Sequence, residues 1–120
     1  MKVAVTAEGR EMTSRVDPRF GRATCFLIVD TEAQAHQVVD NRQNLEAAQG
    51  AGVQAAQIVA AHQVAAVLTG HCGPKAFRVL QAAGIEIYLD VTGTVQDALK
   101  MLASGQLRPA ARPDVEGHWV

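Results

Sequence analysis

Thiols and aromatic rings are both scarce in this sequence. Its 120 residues include two cysteines, Cys25 and Cys72, far apart and without a CxxC pair. That excludes a disulfide scaffold and gives no cysteine-rich signature for a self-built iron–sulfur cluster. Reduced thiols in a cytoplasmic setting are the expectation. Aromatic residues make up 4% of the chain, too few for a platform on which single-stranded nucleic acid stacks. The formal net charge of −1 excludes a general polyanion binder, although Arg10, Arg15, Arg19 and Arg22 fall close together. No run approaches the roughly 18 apolar residues of a membrane span, and the N-terminus lacks the pattern of a secretory signal. The expectation is a monomer that binds neither nucleic acid nor membrane.

Apolar residues are plentiful, at 48%, and the length suits a single domain over residues 1–120. Residues 2–6, 25–30 and 35–40 read as strands. The second and third are too close for a crossover helix and predict an antiparallel hairpin. Residues 45–52 form a link and 53–62 a helix. Residues 65–69 read as a strand, 70–73 as a tight loop, and 74–83 as a helix with Pro74 in its first turn. Residues 85–89 give a fifth strand and 94–104 a third helix, opened by Thr94 and Asp97 in a capping-box arrangement. Residues 105–120 read as an irregular tail. Right-handed crossovers place the fourth and fifth strands beyond the first. The predicted fold is α/β with three α/β/α layers and a mixed five-stranded sheet of order 3-2-1-4-5, strand two antiparallel.

In such sheets ligands bind beyond the carboxyl ends of the parallel strands, where the chain order reverses. That point lies between the first and fourth strands. It gathers the four arginines of the long loop 7–22, the loop Gly70-His71-Cys72-Gly73, and the loop 90–93. The helix opening at Pro74 aims unpaired N–H groups and partial positive charge at this rim. The same field is expected to lower the Cys72 thiol pKa, and imidazole with thiolate suits soft or borderline metals. Cys25, at the start of an apolar strand, reads as structural, and His36 and His62 read as boundary residues. A rival pattern, His-Cys-x5-Arg from His71 to Arg78, matches the cysteine-dependent phosphatases. Pro74 removes an amide donor that such a loop needs, and a helix from Pro74 points Arg78 away from Cys72.

Three segments together carry a resemblance. They are Asp17-Pro18-Arg19-Phe20-Gly21-Arg22-Ala23 before an apolar strand, Gly50-Ala51-Gly52 with the later Leu68-Thr69-Gly70-His71-Cys72-Gly73-Pro74-Lys75-Ala76-Phe77, and Val115-Glu116-Gly117-His118-Trp119. The chain resembles the dinitrogenase iron–molybdenum cofactor-binding family, which includes NifX, the C-terminal part of NifB, and NafY. The resemblance implies a ribonuclease-H-like fold and cofactor carriage rather than catalysis, so a non-enzyme. Freestanding members of this length include one that holds a molybdenum–copper sulfide cluster non-covalently. The implied cargo is therefore a molybdenum-containing metal–sulfur cluster, with a molybdenum–copper sulfide ahead of an iron–molybdenum-cofactor-like or iron–sulfur cluster. The family's cofactor-binding histidine carries over to His71. The candidate cradle comprises Gly70, His71, Cys72, Gly73, Arg10, Arg15, Arg19, Phe20, Gly21, Arg22, His118 and Trp119, with His71 and Cys72 as metal contacts. The alternative is a regulatory module for a ParA/MinD-type ATPase, a partner class that the resemblance alone brings in. The cradle reading collapses if Cys72 is sealed in the interior with the arginine segment splayed to the opposite end of the sheet.

Overall fold

A segment that is apolar at every position needs a layer on each side. Residues 2–7 approach that condition through Val3, Ala4, Val5 and Ala7, with Thr6 a buried polar exception and Lys2 exposed at the start. In the computed structural model, which describes residues 1–45 and 50–114, they form β1 (Lys2–Ala7) at the centre of a five-stranded sheet. β2 (Cys25–Asp30) and β3 (Ala35–Asp40) make the expected antiparallel hairpin, and β2 pairs antiparallel with β1. β4 (Ala66–Leu68) runs parallel to β1, and β5 (Glu86–Tyr88) parallel to β4. The sheet order is β3-β2-β1-β4-β5, as the hairpin and crossover rules dictate. β4 and β5 are shorter than their apolar runs, but the ladder continues past both ends: Glu86 N–H donates to Ala65 O and Thr69 N–H to Tyr88 O, each at 3.0 Å.

Among the described residues four helices connect and cover the sheet: α1 (Arg42–Leu45), α2 (Ala51–Ala61), α3 (Pro74–Ala82) and α4 (Val95–Ala103). The single turn α1 has too few residues for any periodic signal. It is set by polar contacts, with Asp40 Oδ1 accepting from Arg42 N–H at 2.8 Å and Asn41 O from Asn44 N–H at 3.0 Å. α2 starts two residues before the expected position. Its N-cap is Gly50 at φ +80°, a conformation glycine adopts without Cβ strain. The capping box at Thr94 and Asp97 is formed as expected.

Strand alternation divides the core in two. On one face Ala4, Phe26, Ile28, Val67 and Ile87 pack with Ala55, Ala56 and Val59 of α2 and Phe77 and Leu80 of α3. On the other, Val3, Val5, Leu27, Val29 and Leu68 pack with Val95 and Ala98 of α4. The result is the α/β/α sandwich. Because β1, β4 and β5 are parallel, their carboxyl ends share one edge. The helix after β4, the helix after β5 and the helix entering β4 all begin there. The chain after α4 returns along the outer side of β5, where Ala110 N–H donates to Ile87 O at 2.7 Å.

Candidate functional site

The loops leaving β1, β4 and β5 are stitched together by backbone hydrogen bonds. His71 N–H donates to Pro18 O at 2.7 Å and Phe20 N–H to His71 O at 3.1 Å, which sets Arg19 beside His71 in a short parallel bridge. Asp90 N–H donates to Gly70 O at 2.8 Å and Val91 N–H to Thr69 O at 3.1 Å. The approach at Gly70 leaves no room for a side chain: a Cβ there would stand 2.6 Å from Pro18 O and 2.7 Å from Pro18 Cα. Beneath this seam Thr6 Oγ1 donates to Asp17 O at 2.7 Å and shares a hydroxyl–hydroxyl hydrogen bond of 2.9 Å with Thr69. The largely buried Asp17 carboxylate accepts from Arg19 N–H at 3.1 Å and Thr24 N–H at 3.3 Å. Burial pushes its pKa up, against those two bonds. The seam is therefore a rigid floor of backbone and small polar groups.

Two helix starts meet at this floor. Gly52 in the first turn of α2 lies so close to α3 that its Cβ would stand 3.2 Å from the Ala76 Cβ. Both helices open on glycine, Gly50 and Gly73, and among the described residues no side chain caps either one. Each end carries N–H groups without an intrahelical partner and roughly half a positive charge, so setting the two side by side makes a local positive potential. α4, which also starts at this edge, is closed by its own capping box.

His71 stands above α3, and a carboxylate from the tail reaches it. Asp114 Oδ2 lies 2.8 Å from His71 Nδ1, and Asp114 Oδ1 accepts from Cys72 N–H at 3.1 Å. Asp90 completes a cluster in which one ligand atom from each of His71, Asp90 and Asp114 lies within 4.8 Å of the others. One imidazole and two carboxylates are a donor set for a borderline divalent ion.

Cys72 requires a correction. Its side chain is fully buried in the core with Phe20, Ala76 and Phe77, and its thiol lies 3.6 Å from Gly73 O. Burial, with a smaller contribution from the Asp114 charge, pushes the thiol up to about 12. The expected lowering by the helix end is overturned: the backbone of Cys72 faces the rim while its sulfur faces inward. A thiolate ligand and a thiolate nucleophile are both removed by this geometry. The phosphatase pattern fails further because Arg78 is an exposed residue inside α3. Cys25 is buried as expected, with Sγ 3.2 Å from Gly9 O.

Phe20 is corrected as well. It is wholly buried against Phe26, ring centroids 5.7 Å apart, and belongs to the core. Gly21 is buried too, its carbonyl accepting from Asn41 Nδ2 at 3.2 Å. The arginine segment keeps to the expected edge but spreads along it. Arg19 is exposed beside His71, Arg22 is half-buried between Gly21 and Ala23, and Arg15 is exposed and bridged to Thr94 at the start of α4. Arg10 lies near Cys25 and Asp40 at the hairpin end. Gly70 and Gly73 occupy the seam and the α3 N-cap. His118 and Trp119 lie outside the described residues. Sequence reasoning gave Asp90 and Asp114 no role in the site and left the start of α2 out of it. The glycines of Gly50-Ala51-Gly52 were a signal for the last of these. Nothing local marks Asp114, which is brought in from 42 residues away.

Residues 1–105 match the family described as dinitrogenase iron-molybdenum cofactor. The apo form of the orange protein from Desulfovibrio gigas is 44% identical, with 95% of this chain and 96% of that chain covered and a TM-score of 0.93. A NifB-like protein from Thermotoga is 34% identical, with 97% and 98% covered and a TM-score of 0.83. An uncharacterized protein of Methanocaldococcus jannaschii is 28% identical over 110 residues, 89% of each chain. No helix among the described residues is long and apolar enough to cross a membrane.

Proposed function

This chain belongs to the dinitrogenase iron-molybdenum cofactor family, and from that premise we propose that it holds an anionic metal–sulfur cluster, without covalent attachment, over the paired starts of α2 and α3. The observation that carries the reading is the convergence of those two helix ends, neither capped by a described side chain, beneath the His71 loop. Like ends of two macrodipoles repel, and an anion seated between them relieves that repulsion. Exposed Arg19 adds a cation beside His71. Helix-end contacts of this kind are worth about 0.3–1 kcal/mol each when exposed and up to about 2 when partly buried.

The donor chemistry favours a cargo that brings its own sulfide. Both thiols are buried, so cysteine ligation of an iron–sulfur cluster has no support here. A molybdenum–copper sulfide needs N–H groups, guanidinium and imidazole around it, and those are the groups at the rim. His71 is the side chain positioned to contact a metal directly. The protein's part is to bind and orient the cargo and to keep bulk water from its inner face; among the described residues no group at the rim is set up as an activated nucleophile.

The test is to incubate apo-protein with tetrathiomolybdate and Cu(I), desalt it, and measure co-eluting molybdenum, copper and visible absorbance. Metal and colour should stay with the wild type, fall in Arg19→Ala and His71→Ala, and be unchanged in Lys2→Ala at the opposite edge of the sheet. Loss of all metal on desalting the wild type would refute the proposal.

A further inference from the structure

The tail carboxylate occupies the place that an anionic cargo would take. Asp114 uses one oxygen on the Cys72 backbone N–H, at 3.1 Å, and the other beside His71 Nδ1, at 2.8 Å. Those two groups are the ones the rim offers directly over α3. The carboxylate comes from no neighbouring loop. It is carried by the chain beyond α4, which is fastened to the outer edge of β5 through Ala110 and Ile87. A bidentate anion is already seated across the imidazole and the amide, and it belongs to the protein itself.

We propose that Asp114 is an intramolecular gate: its carboxylate fills the His71–Cys72 anion seat when no cargo is bound, and the cluster must displace it to enter. This rests on the cluster-binding reading above. It adds that the binding seat consists of His71 Nδ1 and the Cys72 amide, and that the tail regulates access to it. The physical basis is mutual exclusion. A carboxylate and a sulfide-rich anion compete for the same two donors, and their like charges repel across a few ångströms. Asp90, within 4.8 Å of the same imidazole and carboxylate, adds a second negative charge that repels the Asp114 carboxylate and an incoming anion alike, so it shifts the exchange between them little. The gate thereby keeps the positive seat from taking small adventitious anions, because only a ligand with several simultaneous contacts outcompetes a tethered carboxylate.

The experiment measures tetrathiomolybdate binding, with and without Cu(I), to wild type, Asp114→Ala, Asp114→Asn and Asp90→Asn, by absorbance titration at constant ionic strength. Removing two hydrogen bonds that the cargo must otherwise break is expected to tighten binding roughly tenfold in Asp114→Ala. Asp114→Asn, which keeps an acceptor but loses the charge, should fall between. Asp90→Asn, which removes the same charge without vacating the seat, should gain at most about twofold, as expected for a screened rim charge. A second readout is amide exchange at Cys72: protected in apo wild type, unprotected in apo Asp114→Ala, and protected again when tetrathiomolybdate is added. Equal or weaker binding by Asp114→Ala, or an equal gain in Asp90→Asn, overturns the gate while leaving cluster binding intact. Failure of every variant to bind overturns the cluster reading and the gate with it.

Discussion

The buried Cys72 thiol makes stability depend on alkaline pH in a way that can be computed and inverted by mutation. Its side chain has no exposure in the folded protein, and its pKa is pushed from 9.0 to about 12. Between those values the unfolded chain has lost the thiol proton while the folded chain retains it. The folded state binds more protons, so stability falls as pH rises from about 9 towards 12. At pH 10.5 the cost to wild type is roughly 1.4 × 1.5, or about 2 kcal/mol. Cys72→Ala carries no such cost but leaves a small void, worth about 1 kcal/mol. At pH 8 the wild type should therefore be the more stable by about 1 kcal/mol, and at pH 10.5 the order should reverse by a similar amount. Urea unfolding of both proteins at pH 8, 9, 10 and 10.5 measures this directly, because all other titrating groups are shared and cancel in the difference. A gap that stays constant across that range would refute the burial argument. Rapid labelling of Cys72 by a thiol reagent in the native protein at pH 8 would refute it independently.

Other substitutions probe the seam and its supports. Gly70→Ala should destabilise by about 1–3 kcal/mol in urea, since the Cβ meets the backbone of Pro18 at 2.6–2.7 Å where the two loops are held together by the His71 N–H to Pro18 O hydrogen bond. It should also weaken thiomolybdate retention by disturbing the His71 loop. Phe20→Ala should cost about 3–5 kcal/mol, the value for a buried aromatic in the core, and leave an aromatic-sized cavity beside Phe26; a loss under 1 kcal/mol would place Phe20 at the rim instead. Thr94→Ala removes the α4 capping bond to Asp97 N–H and should cost about 1 kcal/mol without changing cluster retention.

The order of the sheet was legible because it follows from local rules. A four-residue gap between residues 30 and 35 permits a hairpin and forbids a crossover, and helices between 40 and 85 force parallel returns of fixed hand. The same rules placed the loops after β1, β4 and β5 at one edge, and the helix opened by Pro74 behind them. Composition alone ruled out thiolate-rich metal chemistry. What the sequence did not reveal was the direction of individual side chains at that edge. His71 and Cys72 are adjacent, and only packing decides that one faces the rim while the other points among Phe20, Ala76 and Phe77. Phe20 and Arg19 are divided in the same way. Asp114 and the α2 start reach the seat from distant parts of the chain, and no spacing rule links them to His71. Local periodicity and turn chemistry fix elements and their connections. Burial is a property of the assembled layers, and it assigns each neighbouring pair of residues to core or to site.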